Sequence, residues 1–460
     1  MFRSRAKLAC IALIVVCLIQ TLLPTIARAE EPFQTGLRSS GVEGARIMEC
    51  DRQLFLELIH LAQFNVNFFE QANYHQKWRS WAYPLAREAG TAASFANSLV
   101  DISERAGNLH DPSQISRSAQ RKGLASAVVG NGISGSASGL ELLQNVWVMQ
   151  RAKKQGFSPK KSVEYVKASI ERTNQLLSER ALLVSEETSE NSRQVRVLES
   201  VMIRRIRDQL VFEFRRWSIH SRERAWRENT FFAIDSAQNF TNMYSSIISL
   251  QSFQYPNRSG TSALLSLTAS SAATLNPIVR NLVGVCMRKY QRNKLARDLP
   301  ISRPAAAETL TVQELKALQE ESSPKEAKRL QELLFLSANS EELDTTIDRE
   351  AKSIERFRQV AQQQSISGPM IGLTSVARSV LSTVSYYGFQ SDKDVGNKLS
   401  LGGRISQASG QAYALIDTPY TYFKGVMKKR RNERAGSSLA QILERRKRLL
   451  STLERQLTAQ

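Results

Sequence analysis

Leu54, Leu58, Leu61 and Phe64 recur at steps of three and four through Glu70, the spacing that lines one face of a helix. Further on, Ser158 and Pro159 mark a helix start, a capping hydroxyl followed by a ring that presets the first helical φ. Beyond it Val163, Val166, Ile170, Thr173, Leu177 and Val184 form a stripe. A second stripe, after a polar break at 186–193, runs through Val195, Leu198, Met202, Ile206, Leu210, Phe214 and Trp217. Together they predict paired long amphipathic helices. Thr311 with Glu314, and Ser323 and Pro324 with Glu326, have capping-box spacing, and Leu343, Ile347, Ile354 and Val360 stripe another helix. Sustained apolar and polar alternation is nearly absent, so no strands are expected and the fold class is all-α.

Between the charged helices lie three segments rich in Ala, Ser and Gly, which read as divergent copies of one unit. Trp78–Arg79, Trp226–Arg227 and Phe357–Arg358 begin the three copies, and Phe95, Ala96, Asn97 answers Phe240, Thr241, Asn242. In the second helix of each copy, Leu265, Ser266, Leu267 answers Leu399, Ser400, Leu401. Each copy closes on a basic edge: Arg151, Lys153 and Lys154; Arg288 and Lys289; Lys428 and Lys429. The period is roughly 130–150 residues, longer than ordinary solenoid repeats. The expected organisation is a signal peptide at 1–29, a flexible leader at 30–48, and helical units at 49–190, 191–340 and 341–460.

Gly, Ala and Ser along one face let a neighbouring backbone approach closely and gain dispersion contacts over a long line. In water such helices form the tight centre of a bundle wrapped by charged helices; in a bilayer they associate as hairpins. Arg87, Glu88, Asp101, Asp235, Arg280, Arg378 and Arg404 interrupt these segments. Charge inside hydrocarbon is expensive, so the soluble bundle is the favoured expectation and the inserted hairpin its alternative.

Arg3, Arg5 and Lys7, an apolar run from Leu8 to Leu23, and Ala27, Arg28, Ala29 before Glu30 follow the layout of a cleavable secretory leader. The expected location is therefore outside the cytosol: periplasmic or secreted, peripheral to a membrane. Cys10 and Cys17 do not fit a lipoprotein cleavage site. Cleavage leaves Cys50 and Cys286, a candidate disulfide in an oxidising compartment.

The chain of 460 residues carries a net charge of +20, and the leader accounts for only four of its basic residues. A basic exported protein is drawn to anionic surfaces. Candidate contacts are Lys428, Lys429, Arg430, Arg431 and Arg434, and then Arg445, Arg446, Lys447 and Arg448. The second group shares a segment with Leu443, Leu449, Leu450 and Leu453, the makeup of a membrane-surface or partner-binding helix. No aromatics are interleaved with these basics, so specific nucleic-acid recognition is not expected.

Chemical motifs are sparse. Gly130, Asn131, Gly132, Ile133, Ser134, Gly135 matches the dinucleotide fingerprint, but Gln150 to Lys154 stand where its ribose-binding acid belongs. Glu57 and His60 form half of a di-iron pair, and no other histidine has an acid three residues before it. Ser158 and Lys161 have Ser-x-x-Lys spacing without companion motifs. No catalytic residue, metal or cofactor is expected. The sequence favours a non-enzymatic protein that binds or scaffolds at anionic envelope or extracellular surfaces, with an anionic membrane surface or an acidic polymer as its partner. Its alternatives are a membrane-active protein, pore former or bilayer remodeller, and an envelope enzyme.

Overall fold

The computed structural model describes residues 42–72, 79–109, 111–186, 190–300, 367–389, 391–434 and 438–458. The signal peptide, most of the leader, the capping boxes at 311 and 323, the stripe from Leu343 to Val360, and Trp78 and Phe357 lie outside these residues. The chain divides at Arg46 into two compact units; everything below concerns the second, Ile47–Gln460.

Regular structure among the described residues is entirely helical. The helices are α1 (Val42–Ala72), α2 (Arg79–Gly107), α3 (Arg117–Lys154), α4 (Pro159–Ser185) and α5 (Glu190–Gln251). They continue with α6 (Arg258–Asp298), α7 (Ser367–Gly388), α8 (Lys393–Arg434) and α9 (Leu439–Thr458). The Ser158 hydroxyl caps α4 by accepting from the Lys161 amide, with Pro159 at the first helical position. Ser116 caps α3 in the same way through Ala119. Helix α1 begins before the first predicted leucine, because Ile47 and Cys50 already lie on its buried face, and the end of the expected leader is therefore helical.

The amphipathic stripes converge in one lobe, built from α1, α4, the first half of α5, the end of α6 and α9. Its core holds Leu54, Leu61, Val66, Val166, Leu177, Phe214 and Trp217, joined by Leu295, Leu299 and Leu450. Phe64 stacks on Tyr165 with ring centroids 4.2 Å apart, and Phe69 packs on Trp217 at 4.5 Å. Each fully buried large apolar side chain contributes about 1.5–3 kcal/mol, so this lobe has an ordinary soluble core. Its surface matches: on α4 the exposed positions include Lys160, Lys161, Glu164, Lys167 and Glu171.

The remaining helices form a second lobe of different character. Helix α2 packs on α3, α3 on the second half of α5, α5 on α6, α6 on α7, α7 on α8, and α8 back on α2. The order closes a ring of three antiparallel hairpins: α2 with α3, the second half of α5 with α6, and α7 with α8. Contacts fix the register within and between them. Tyr83 meets Ser138 inside the first hairpin, Ser245 meets Ser262 inside the second, and Ser385 meets Ser400 inside the third. Ser138 meets Asp235, Ser270 meets Ser379, and Gln411 meets Ser98 between hairpins. Small residues permit these approaches. A Cβ on Gly90 would lie 2.7 Å from the Gly130 carbonyl, and one on Gly130 equally close to the Gly90 carbonyl.

Candidate functional site

The ring lobe buries polar side chains and exposes apolar ones. Ser98, Ser134, Ser138, Ser262, Ser270 and Ser379 are buried, with Asn97, Asn239, Asn276, Asn397 and Gln411 beside them. Of the exposed large apolar residues among those described, all but Met48, Leu182 and Val197 sit on the six ring helices or the turns joining them. Isolated soluble proteins rarely expose contiguous apolar surface beyond a few hundred Å². The ring exposes a belt.

On α3 the exposed residues from Ala125 to Trp147 are Ala125, Val129, Ile133, Ser136, Leu140, Leu143 and Trp147, with no charge among them. The same holds on α2 from Trp81 to Ala106, on α6 from Thr261 to Cys286 and on α8 from Gly402 to Phe423. At 1.5 Å per residue these stretches are about 32–38 Å tall. Exposed cations cap both ends. Arg117, Arg121, Lys122, Arg258, Lys393 and Lys398 stand at the hairpin-turn end, and Lys153, Lys154, Arg288, Lys289, Lys424 and Lys428 at the other. Exposed aromatics also lie near both ends: Tyr255, Tyr387 and Phe389 at the turn end, Trp81, Trp147, Tyr290, Tyr420 and Phe423 opposite. None of the described helices is long and apolar enough to cross a membrane; those of the ring carry a polar inner face that lowers their average.

The charges that interrupt the small-residue segments point inward and meet in two layers. In one, Arg87 on α2 donates to Asp235 on α5 at 2.8 Å, and Ser138 donates to the other oxygen of Asp235 at 2.5 Å. Burial, then the Asp235 charge, pushes the Tyr83 phenol beside them above its usual range. Arg87 and Asp235, with Asn276 and Arg280 of α6 and Gly372 of α7, line a cavity of about 40 Å³. That is room for a few waters, the ordinary partners for the buried Arg87 Nε and Asn276 Oδ1, which have none among the described residues.

The other layer, nearer the hairpin turns, joins α2, α7 and α8. Arg105 donates to Asp101 at 3.0 Å and to Asn397 at 3.1 Å, while Arg404 pairs with the second Asp101 oxygen. Burial opposes ionisation of Asp101, yet Arg404, Arg105 and Arg378 together hold its carboxyl below the usual value.

The expected surface cations divide between exposed and engaged positions. Lys428, Lys429, Arg430, Arg431 and Arg434 are exposed on the last turns of α8, with Lys429 4.0 Å from Glu433. On α9, Arg445 is exposed, Lys447 pairs with Glu70, and Arg448 pairs with Glu444. Arg446 does not belong to a basic surface: it is 5% exposed and donates to both oxygens of Glu213 at 2.5 and 3.0 Å. The apolar stripe of α9 is likewise occupied, with Leu443 and Leu450 in the bundle core and Leu453 packed against it.

The expected disulfide is absent. Both cysteines are free; Cys50 is buried and donates its thiol to the Leu176 carbonyl, whereas Cys286 is exposed on the ring. Burial, with Asp51 and Glu179 nearby, pushes the Cys50 thiol up to about 11. The Gly130–Gly135 pattern lies inside α3 and serves close packing against α2 and α5. His60 is exposed and lies 3.4 Å from Glu454, while Glu57 is tucked against Arg172 at 2.8 Å. No group able to hold a metal occurs among the described residues.

Sequence reasoning missed the pairing of Arg87 with Asp235 and of Arg404 with Asp101. The available signal was the isolation of each charge amid small residues, which implies a buried partner on another helix. No protein-family model, curated protein or solved structure matches the chain.

Proposed function

We propose that the protein is a membrane-inserted helical ring of pore type, with a polar interior and a water-exposed bundle lobe at one rim. The inversion of the ring, apolar outside and polar inside, carries this reading. A hydrocarbon core is about 30 Å thick, close to the height of the uncharged belt. Aromatics and cations together at both rims are the side chains that prefer the two headgroup regions. Ionisable residues within a membrane domain face the interior and pair with one another, as Arg87 with Asp235 and Arg404 with Asp101 do.

The charges that weigh against insertion of single hairpins therefore lose their force once three hairpins share an interior. Because no described helix of the ring is apolar all round, insertion belongs to the assembled ring rather than to its helices one by one. The three hairpins, each two helices rich in small residues, fit descent from one repeated unit. The exposed cluster from Lys428 to Arg431 follows Phe423 and Met427 directly, so under this reading it contacts acidic headgroups. That joins anionic-surface binding to insertion in one protein, delivered to the cell envelope by its leader and acting without catalysis.

Reconstitution into vesicles tests the proposal. The protein should resist extraction by high salt and by alkaline carbonate, and lipids brominated near the headgroup should quench Trp81 and Trp147, a signal lost in W81F/W147F. Complete release into the supernatant by high salt would leave surface attachment alone.

A further inference from the structure

Arg378 projects from α7 into the layer formed by Asp101, Arg105 and Arg404. The residue is half-buried, and its Nε is buried without a hydrogen-bond partner among the described residues. Asp101 already accepts from Arg105 and pairs with Arg404, so three guanidiniums face one carboxylate. A buried charge is tolerated only when it is paired and hydrogen-bonded. Arginine does not relieve the surplus by losing its proton, since the guanidinium stays charged in proteins. A negative ion relieves it.

We propose that Arg378, Arg404 and Arg105 bind a small inorganic anion of chloride size inside the ring. Burial and the charge of Arg404 push the Arg378 guanidinium well below its usual range, with Asp101 opposing and Arg105 adding to the shift. The same field that disfavours a third cation attracts an anion. Helices α7 and α8 approach closely beside these residues: a Cβ on Gly403 would lie 3.1 Å from the Arg378 Cα and 3.2 Å from its carbonyl oxygen. With the two helix backbones in contact beside the site, a monatomic ion fits better than a tetrahedral oxyanion. The site does not depend on what surrounds the outer belt, so it goes beyond the membrane reading and is measured separately.

The experiment uses purified protein, in buffer or detergent, at constant ionic strength with gluconate progressively replaced by chloride. The thermal midpoint of the wild type should rise by a few degrees and saturate, as for a ligand bound by the folded state alone. Arg378→Gln removes the surplus charge. It should therefore melt higher than the wild type in pure gluconate and respond to chloride weakly or not at all. Lys167→Gln, at an exposed cation of the bundle lobe, should keep the full response.

A wild-type midpoint that does not move with chloride overturns the site. So does a full response in Arg378→Gln, or loss of the response in Lys167→Gln as well, which would signal general salt effects. A larger rise with sulfate than with chloride overturns the assigned ion. Should Arg378→Gln fail to fold by circular dichroism, chloride-35 line broadening on the wild type decides, and absence of saturable broadening rejects binding. A protein that binds chloride yet leaves bilayers in high salt keeps this inference and loses the membrane reading; the converse outcome does the reverse.

Discussion

Arg87 and Asp235 form an ion pair of 2.8 Å that joins the first hairpin of the ring to the second, with their side chains 12% and 3% exposed. Removing one partner strands a charge in the interior, a loss of about 3–5 kcal/mol for a buried pair. Arg87→Met should therefore lower the urea midpoint substantially. The double substitution Arg87→Met with Asp235→Leu should recover most of the loss. A double variant no more stable than the single one would mean that the pair does not act through charge.

Arg446 and Glu213 fasten α9 to α5 in the bundle lobe, with side chains 5% and 2% exposed. Arg446→Ala should cost about 3–5 kcal/mol in chemical unfolding. Arg446→Lys should be nearly as damaging, since lysine cannot reproduce the two-pronged contact. Arg445→Ala, one residue away and exposed, should change stability by no more than about 0.5 kcal/mol.

Gly130 touches the backbone of α2, so a methyl group there cannot be accommodated by rotating a flexible side chain. Gly130→Ala should destabilise by about 1–3 kcal/mol, the usual effect of overpacking. Gly107→Ala has nothing within 4 Å and should be neutral. Equal thermal midpoints for the two variants would argue against close approach of α2 and α3.

Thiol chemistry should separate the two cysteines of a chain beginning at Glu30. The exposed Cys286 should react with maleimide in the native protein at neutral pH. The Cys50 thiol, pushed up to about 11 by burial, should react only after unfolding. Mass spectrometry should count one adduct in the native state and two in denaturant, and the unreduced protein should contain no intramolecular disulfide.

Asp101 makes stability sensitive to acid. Its folded value lies below the ordinary 3.8, so its contribution is complete above that value and is lost as pH falls through the depressed one. Unfolding free energy should therefore hold near neutrality and decline below about pH 4. Asp101→Asn should be less stable at pH 7 and show a shallower acid limb. Parallel acid limbs for the two proteins would remove Asp101 from the account.

The bundle lobe was legible in the sequence because its helices obey the usual rule of apolar inside. Met202, Ile206, Leu210, Phe214 and Trp217 are buried as their spacing predicts. Ser158 caps α4 as its place before Pro159 implies. The ring was harder to read, because its inward stripe consists of Ser, Gly and Asn, which composition alone assigns to no face. The hydrophobic residues between them, such as Leu140, Leu143 and Ile416, are exposed. Arg446 misled for a related reason: adjacent basic residues on a helix point in different directions, and only the fold distinguishes the one aimed at Glu213.

Helix α5 runs without interruption for 62 residues, about 90 Å, from the core around Met202 to the end of the second hairpin at Gln251. No loop therefore interrupts the chain between Met202 and Asp235, and along this connection the two lobes share one backbone with no turn on which to pivot.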